Sequence, residues 1–552
     1  MTLLKQHRVF FIMVAFAAVL FLSDIWIYKE FVRAESYFAL GSRLMIEQGD
    51  WLTPHAPDEL ALNKPPLTYW LIGISYKLLG TNYGSARLPS VLAALAVLAI
   101  VYLLAVRFGG IRAGIISVAL LASSYLFLSF ARMTMSDMLL TLFVTASFAC
   151  FMLALDDQES RFRGFVLLGY VALALGVLAK GPVALALVAI PMGFELALRR
   201  NRKAVKRLRL IHGMIVFTLI AVPYFVLVYA RLGAAPLRFF FFGENLQRFT
   251  GQIYSGSGRP FWFGLLAFFS DFAPWSLLVF VAIWFDWRGR GLPESNGRST
   301  RVLYLWLGWT ILLFSLSSFK VDYYLLPSMP AAALIIAPVI ANAERLPRVV
   351  LGTVAAFLVL CSAVILAVAL LSPKAAVVLS VQNAARFLPV VTALLGLALI
   401  VFAIARLRTW QAALILTATI GVTMLTMQWS LLPAFVRYLP ATQLAARVPA
   451  GSVVYTSWGT SDWANCLAYN LPPPHKVERL IGDSNNDRLQ AALKGDPKSV
   501  AIIWEREYEG LASQEPALKI LAQVETFGHG GLSLKIIRNP RRELLLVVGH
   551  DH

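Results

Sequence analysis

The chain is a succession of apolar runs, most of them closed by Arg or Lys. Each run approaches the ~20 residues a helix needs to cross about 30 Å of hydrocarbon. Hydrocarbon offers no water to backbone N–H and C=O groups, so runs of this kind must be helical. They fall at 8–28, 86–106, 112–130, 134–154, 163–179, 182–198, 211–230, 261–284, 302–318, 324–342, 348–371, 387–405 and 409–430. The expected architecture is therefore a polytopic α-helical membrane protein with about 13 transmembrane helices. Charged residues make up only 14% of the 552, against about 25% in a typical soluble domain. Cys150 and Cys361 lie in apolar runs and Cys466 stands alone in a polar region, so no disulfide is expected within that region. The first apolar segment is too long for a signal-peptide core and lacks a small-residue cleavage site, so it reads as a retained helix.

Orientation follows from the basic residues. Lys5 and Arg8 precede the first run. Alternate loops then carry Arg107 and Arg112; Arg161 and Arg163; a dense run from Arg199 to Arg209; Arg288, Arg290, Arg298 and Arg301; Arg345 and Arg348; and Arg406 and Arg408. This is the positive-inside pattern, which places the N-terminus in the cytoplasm and, with an odd span count, the C-terminus outside. The formal charge of +19 is spread over these run ends, so nucleic acid is not an expected partner. The predicted outer loops 29–85 and 231–260 are long, aromatic and mixed in charge. The first holds two amphipathic patterns, one through Tyr37, Leu40, Leu44 and Met45 and one through Leu67, Trp70, Leu71, Ile74 and Leu78; such helices can lie in the interface plane. Residues 1–435 read as a transmembrane domain. Residues 436–552 read as a soluble α/β domain, with strands near Gly451–Tyr455 and Val500–Trp504.

Ionisable groups at membrane depth are costly and are usually functional or paired. Here they gather at the predicted outer ends of spans. Arg33, Glu35, Asp50, Asp58, Glu59 and Lys64 share the first outer loop. Arg132 and Asp137 flank the start of the fourth span, and Lys180 sits in Lys180-Gly181-Pro182. Glu244 and Arg248 lie together, as do Lys320 and Asp322, which precede Tyr323 and Tyr324. No comparable mixing of sign is expected on the inner side. Lys and Arg beside carboxylates suit an anionic phosphate, and a carboxylate near a hydroxyl can act as a general base. The histidines, among them His55, His212, His475, His529, His550 and His552, show no metal-ligand spacing. Gly251–Gly258 lacks the strand–loop–helix context of a nucleotide loop. The run from Arg199 to Arg209 reads as topological, within reach of anionic lipid. No internal repeat of the transporter kind is present.

At these residues the chain resembles the bacterial protein-mannosyltransferase-like membrane glycosyltransferases of the GT-C class, to which the lipid A aminoarabinose transferase belongs. The resemblance runs, in order, through Glu35, Gly49-Asp50-Trp51, Asn63-Lys64-Pro65-Pro66, Tyr69-Trp70 and Ala86-Arg87-Leu88-Pro89-Ser90. It continues through Ala131–Asp137, Ala179-Lys180-Gly181-Pro182, Glu244–Phe249, Phe319-Lys320 and Tyr324-Leu325-Leu326-Pro327. It implies an inverting glycosyltransferase that moves a sugar from a polyprenyl (undecaprenyl) phosphate carrier to lipid A, another glycan or a protein. The setting would be the periplasmic side of a bacterial inner membrane, with membrane lipid as a further partner. Lys64 and Arg248 would bind carrier or acceptor phosphate, with Tyr324, Tyr323, Lys320 and Arg132 nearby. Glu35 and Asp137 would be catalytic acids. No cofactor is required by the resemblance; a divalent cation is compatible with so many acids, though no spacing demands one.

The chain departs from that pattern at Ala34-Glu35, where the family has Asp-Glu. An Asp→Ala replacement, or a natural divergence that leaves Glu35 or Asp137 as the working acid, would account for it. Tyr37-Phe38 and Asn63 also differ from the aminoarabinose transferase, which separates the sugar's identity from the broader class. Two other classes compete. A lipid or glycan transporter or flippase predicts charges at mid-membrane and repeat symmetry. A non-catalytic membrane scaffold predicts binding without transfer.

Overall fold

The computed structural model describes residues 7–23, 25–27, 31, 33–55, 62–155, 164–200, 202–252, 258–273, 275–288, 300–342, 396, 411, 440–457, 464–471, 476–479, 487–496, 498–514, 517–526 and 543–549. The expected spans at 348–371, 387–405 and 409–430, and the acids Asp58 and Glu59, lie outside the described residues.

The chain is a polytopic helical membrane protein. Among the described residues, four helices are long and apolar enough to cross a bilayer: Tyr83–Ala122, Ser136–Ala154, Lys203–Leu232 and Asp322–Asn342. Shorter apolar helices at Arg8–Leu22, Phe165–Lys180, Leu277–Trp287 and Arg301–Leu316 accompany them. We label Arg8–Leu22 α1, Arg33–Gln48 α2, Leu67–Leu79 α3, Tyr83–Ala122 α4, Ser136–Ala154 α5, Phe165–Lys180 α6, Val183–Arg199 α7, Leu210–Leu232 α8, Arg301–Leu316 α9 and Met329–Asn342 α10. Helix α10 is buried almost all round and packs along α4, since its Ala331, Ala332, Ala333 and Ala337 allow close approach of backbones. Helix α8 is the opposite case. Ile211 is 77% exposed, and Met214, Leu219 and Leu227 are exposed with it. An apolar surface of that extent belongs against lipid.

Helices α2 and α3 coincide with the two amphipathic patterns of the first loop. Ile74 and Leu78 of α3 face outward, while Tyr69, Ile72 and Tyr76 of the same helix pack inward. Several expected boundaries are corrected. Runs 86–106 and 112–130 are two helices that meet directly at Gly110 (φ 81°, ψ 175°), where the chain turns so that Gly114 lies against Val106 and Tyr102; the second ends at Ala122 and a short helix Tyr125–Ala131 follows. Only glycine adopts that conformation readily, so the expected loop shrinks to a kink. Run 261–284 breaks into Phe263–Asp271 and Leu277–Trp287. Run 324–342 begins as a 3₁₀ helix, Asp322–Ser328; Pro327 and Pro330 lack the N–H groups that an α-turn there would use. The expected loop 231–260 is mostly helical: Ala234–Arg238, a π-helix Phe239–Gln247 and a turn at Arg248–Thr250. Its Phe240 and Phe241 pack on Phe225 of α8 and so extend the helical stack.

One expectation about charge fails. Glu195, fully buried near the end of α7, accepts Arg199 Nε at 2.5 Å and Arg301 Nε at 2.8 Å. Mixed pairing therefore also occurs at the basic end of the bundle. A carboxylate one turn before a basic run was overshadowed in the sequence by the cations that follow it.

Among the described residues, five strands form one sheet in the order β2-β1-β3-β5-β4: β1 Val453–Thr456, β2 Lys476–Arg479, β3 Val500–Trp504, β4 Lys519–Thr526 and β5 Glu543–Gly549. Strand β1 runs parallel to β2 and β3, and β5 runs antiparallel to β3 and β4. Parallel neighbours need crossovers. Helix α11 (Ala464–Asn470) makes the first, from β1 to β2, and Asp487–Gly495 makes the second, from β2 to β3. Central β3 is buried on both faces, which is why it reads as an unbroken apolar run.

Gly110→Ala meets open space around the added Cβ, so its cost is conformational alone, about 1–3 kcal/mol. Thermal unfolding in detergent should show that loss; an unchanged midpoint would mean that the bend is not held by this residue.

Candidate functional site

Each charged side chain of the expected site is delivered by the end of an element. Helix α6 finishes at Lys180, and Gly181 takes φ 102°, a region open to glycine. Pro182 then starts α7 with its φ already set. The tight Lys180-Gly181-Pro182 turn thereby leaves the lysine on the rim of two helices. Asp137 occupies the first turn of α5, where exposed N–H groups favour a carboxylate. In the π-helix Phe239–Gln247 the side-chain amide of Asn245 donates to Phe240 O at 2.7 Å. Glu244 and Arg248, four residues apart, meet on one side of it.

These ends enclose a cavity of about 830 Å³. Ala34, Tyr37 and Phe38 of α2 form one wall, and Asn63 and Lys64 stand in the loop before α3. Asp137, Lys180, Glu244, Arg248, Tyr323 and Tyr324 add to the polar lining, with Ser136, Asn245, Ser317 and Asn465. Glu244 is the hub: its Oε2 accepts Lys64 Nζ at 3.2 Å and Arg248 Nη1 at 2.9 Å. The Arg248 guanidinium also lies 4.3 Å from the Phe319 ring centroid. Lys180 Nζ donates to Asp137 Oδ1 and lies 4.8 Å from the Tyr324 ring and 5.8 Å from the Tyr323 ring. Burial pushes the Lys64 ammonium below the ordinary lysine pKa; Glu244 opposes the shift, while Arg248 and Lys180 reinforce it.

Glu35 is placed differently from what the sequence suggests. It is 2% exposed, absent from the cavity lining, and gripped by Arg87 through Nε at 3.1 Å and Nη2 at 3.4 Å. The Thr134 amide donates to it at 2.9 Å. Arg87 also donates to Ile25 O at 3.3 Å and lies over Phe31 and Tyr83. Glu35 therefore braces α2 to α4 and to the start of α5, whereas its neighbour Ala34 faces the cavity. Lys320 and Arg132 also stand outside the lining. The Lys320 ammonium turns back to Ser317 O at 2.7 Å. Asp50 lies apart on the same face: burial alone would raise its carboxyl, but bonds from Thr53, Leu52 and Arg231 prevail and hold it at about 2.

Arg87, Arg231 and Asn465 were not expected here. A charge inside the apolar run 86–106 was a usable signal for Arg87. Arg231 follows an apolar run like the other cations that close such runs, and Asn465 lies in a mixed polar stretch where one more polar residue stands out from nothing.

The description "Dolichyl-phosphate-mannose-protein mannosyltransferase" belongs to the family model that matches residues 63–227. That stretch includes Lys64, Arg87, Asp137 and Lys180. An uncharacterized protein of Aquifex aeolicus is 30% identical over 317 residues, 57% of this chain and 60% of that one. The undecaprenyl phosphate-alpha-4-amino-4-deoxy-L-arabinose arabinosyl transferase 1 of Pseudomonas fluorescens is 32% identical over 307 residues, 54% of this chain and 52% of that one. The chain thus spans between half and two thirds of the length of these curated relatives. Among solved structures, ArnT from Cupriavidus metallidurans bound to undecaprenyl phosphate superposes with a TM-score of 0.76 at 20% identity, covering 98% of both chains. The Archaeoglobus fulgidus oligosaccharyltransferase reaches 0.50 at 12% identity, over 92% of this chain and 70% of that one. At these identities the likenesses show a shared fold.

Removing one partner of a buried pair leaves the other charge uncompensated, at about 3–5 kcal/mol. Arg87→Ala should accordingly lower thermal stability in detergent by that order, and Arg87→Ala/Glu35→Gln should recover part of it. No recovery in the double variant would separate the two residues.

Proposed function

We propose that this chain, a GT-C-type membrane protein resembling the lipid A aminoarabinose transferase, moves a sugar from a polyprenyl phosphate carrier to lipid A, another glycan or a protein. The carrying observation is the convergence of Lys64 and Arg248 on the single Glu244 carboxylate at the cavity wall. Two cations gathered on one carboxylate at a cavity wall suit a phosphate, which both an ammonium and a guanidinium can bind by charge and hydrogen bonds. The family match and the fold shared with a protein solved in complex with undecaprenyl phosphate support the same reading.

In this reading the carrier's tail lies against the apolar helices while its phosphate joins Lys64 and Arg248. The acceptor oxygen attacks the anomeric carbon opposite the phosphate; the new C–O bond forms as the bond to the carrier breaks, with inversion. Negative charge gathers on the departing phosphate, where fixed cations in a poorly solvated site act most strongly. A phosphate acceptor is already anionic and needs no base. A hydroxyl acceptor would draw on Asp137, which lines the cavity with one oxygen held by Lys180, because Ala34 supplies no carboxylate and Glu35 lies outside the lining. The reading includes about 13 spans in a bacterial inner membrane, an N-terminus in the cytoplasm and a periplasmic α/β domain at 436–552, all supported by the alternation of basic run ends.

Lys64→Ala and Arg248→Ala should each weaken binding of undecaprenyl phosphate about 10- to 100-fold, the range for a hydrogen bond to a charged group. Two variants with wild-type affinity would end the proposal. The lowered Lys64 pKa gives the pH dependence its sign. Binding is strongest while Lys64 is protonated and weakens as pH rises through a pKa below that of an ordinary lysine. Lys64→Arg, which keeps its charge, should flatten that fall; a slope equal to wild type would assign it to another group.

Ala34 favours one second reading, a protein that binds the carrier without turnover. Ala34→Asp places a carboxylate on the cavity wall, and transfer assays with a labelled polyprenyl-phosphate sugar then decide. A gain in transfer supports the enzyme, and tight binding with no transfer supports the scaffold.

A further inference from the structure

Helix α11 belongs to the sheet by connection but is shared by two cores. Ala464, Leu467 and Leu471 pack with the buried faces of β1 and β3, whereas Tyr469 belongs to the core of the membrane helices. The division follows the helical period: 465, 466, 469 and 470 form the face turned away from the sheet. That face is anchored to α2, α3 and α4. Arg43 donates to Tyr469 O at 2.7 Å, Tyr76 OH to Tyr469 OH at 3.3 Å, and Tyr83 OH to Asn470 Oδ1. Cys466 Sγ donates to Phe31 O at 3.5 Å, just before α2 begins. The Tyr469 ring meets Phe31 edge-on at 4.8 Å.

With its far end held in this way, the same face carries Asn465 to the cavity. Asn465 is 6% exposed and lines the space together with Ala34, Tyr37 and Phe38 of the helix that α11 packs against. Lys64, Asp137, Lys180, Glu244 and Arg248 around the cavity are charged and paired with one another; Asn63 and Asn245 are neutral amides like Asn465, but Asn63 precedes Lys64 and the Asn245 amide donates to Phe240 O. Asn465 is neutral and carries both an N–H₂ donor and a C=O acceptor. A neutral amide adds no charge for a carrier phosphate beside Lys64 and Arg248. It suits the hydroxyl or acylamino groups of a sugar.

We infer that Asn465 is a specificity-determining residue that holds the carried sugar, supplied to the cavity by the C-terminal sheet region. This inference rests on the proposed carrier-phosphate function. It gives the anchored α11 a purpose beyond packing: a polar group from outside the helical bundle is fixed against α2, where the sugar would meet Tyr37 and Phe38.

The test compares binding of two defined lipids to the full chain in detergent, undecaprenyl phosphate and undecaprenyl-phospho-glucose. Wild type should bind the glucosylated lipid more tightly. Asn465→Ala should reduce that preference about fivefold, the scale of one neutral hydrogen bond, while leaving undecaprenyl phosphate affinity within about twofold. Asn465→Leu, similar in volume, should do the same and serves if the smaller side chain disturbs folding. An unchanged preference in both variants overturns the inference, as does an equal loss for both lipids, which would make Asn465 a packing residue. Equal wild-type affinity for the two lipids also overturns it. Lys64→Ala, measured alongside, keeps the two readings apart: it should weaken both lipids equally. If it weakens neither, the carrier-phosphate reading fails on its own, whatever Asn465 does.

Discussion

Among the described residues, the three cations that line the cavity are each tied to a carboxylate that lines it too, and the site depends on that pairing. Lys64 and Arg248 share Glu244, and Lys180 is held by Asp137. An isolated charge at membrane depth costs several kcal/mol, so the cations could not be positioned there without the acids. Pairing across elements also fixes geometry. Glu244 joins the loop before α3 to the π-helix, and Asp137 joins α5 to the end of α6. Just behind the wall, Arg87 and Glu35 join α4 to α2 by the same device. Carboxylates that look catalytic in the sequence thus divide into two kinds, those that face the cavity and one that braces the helix bearing Ala34.

Ala34 gains its meaning from that brace. It lies beside Glu35 at the start of α2, yet one faces the cavity and the other is locked to Arg87. The pair is split by helical geometry, since adjacent residues on a helix point about 100° apart. The family's Asp-Glu pair would therefore place only its first member in the cavity of this chain. Its absence leaves the described lining with cations suited to a phosphate and with acids already engaged.

Much of this was legible in sequence because lipid imposes simple rules. Apolar run length marked the membrane helices, the amphipathic periods marked α2 and α3, and clustered charge marked Lys64, Asp137, Lys180, Glu244 and Arg248, which the fold brings to one cavity. What stayed hidden depends on three-dimensional direction. Sequence adjacency put Glu35 with the site, but its side chain turns to Arg87. Lys320 lies in a motif with Tyr324, but its ammonium returns to Ser317. The kink at Gly110 and the π-helix at Phe239–Gln247 came from backbone conformations that hydropathy does not record. Asn465 is far from the cavity in sequence and arrives only through the anchoring of α11.

The central claim is that Lys64 and Arg248 hold a carrier phosphate, and a distance measurement tests it most directly. With ¹⁵N-labelled lysine and arginine and ³¹P in bound undecaprenyl phosphate, solid-state dipolar recoupling reads nitrogen–phosphorus proximity in the membrane-embedded protein. The account predicts one lysine and one arginine signal within salt-bridge reach, with oxygen contacts of about 4 Å or less, the lysine signal vanishing in Lys64→Ala. A bound lipid whose phosphorus couples to neither side chain, or whose lysine coupling survives in Lys64→Ala, would contradict it.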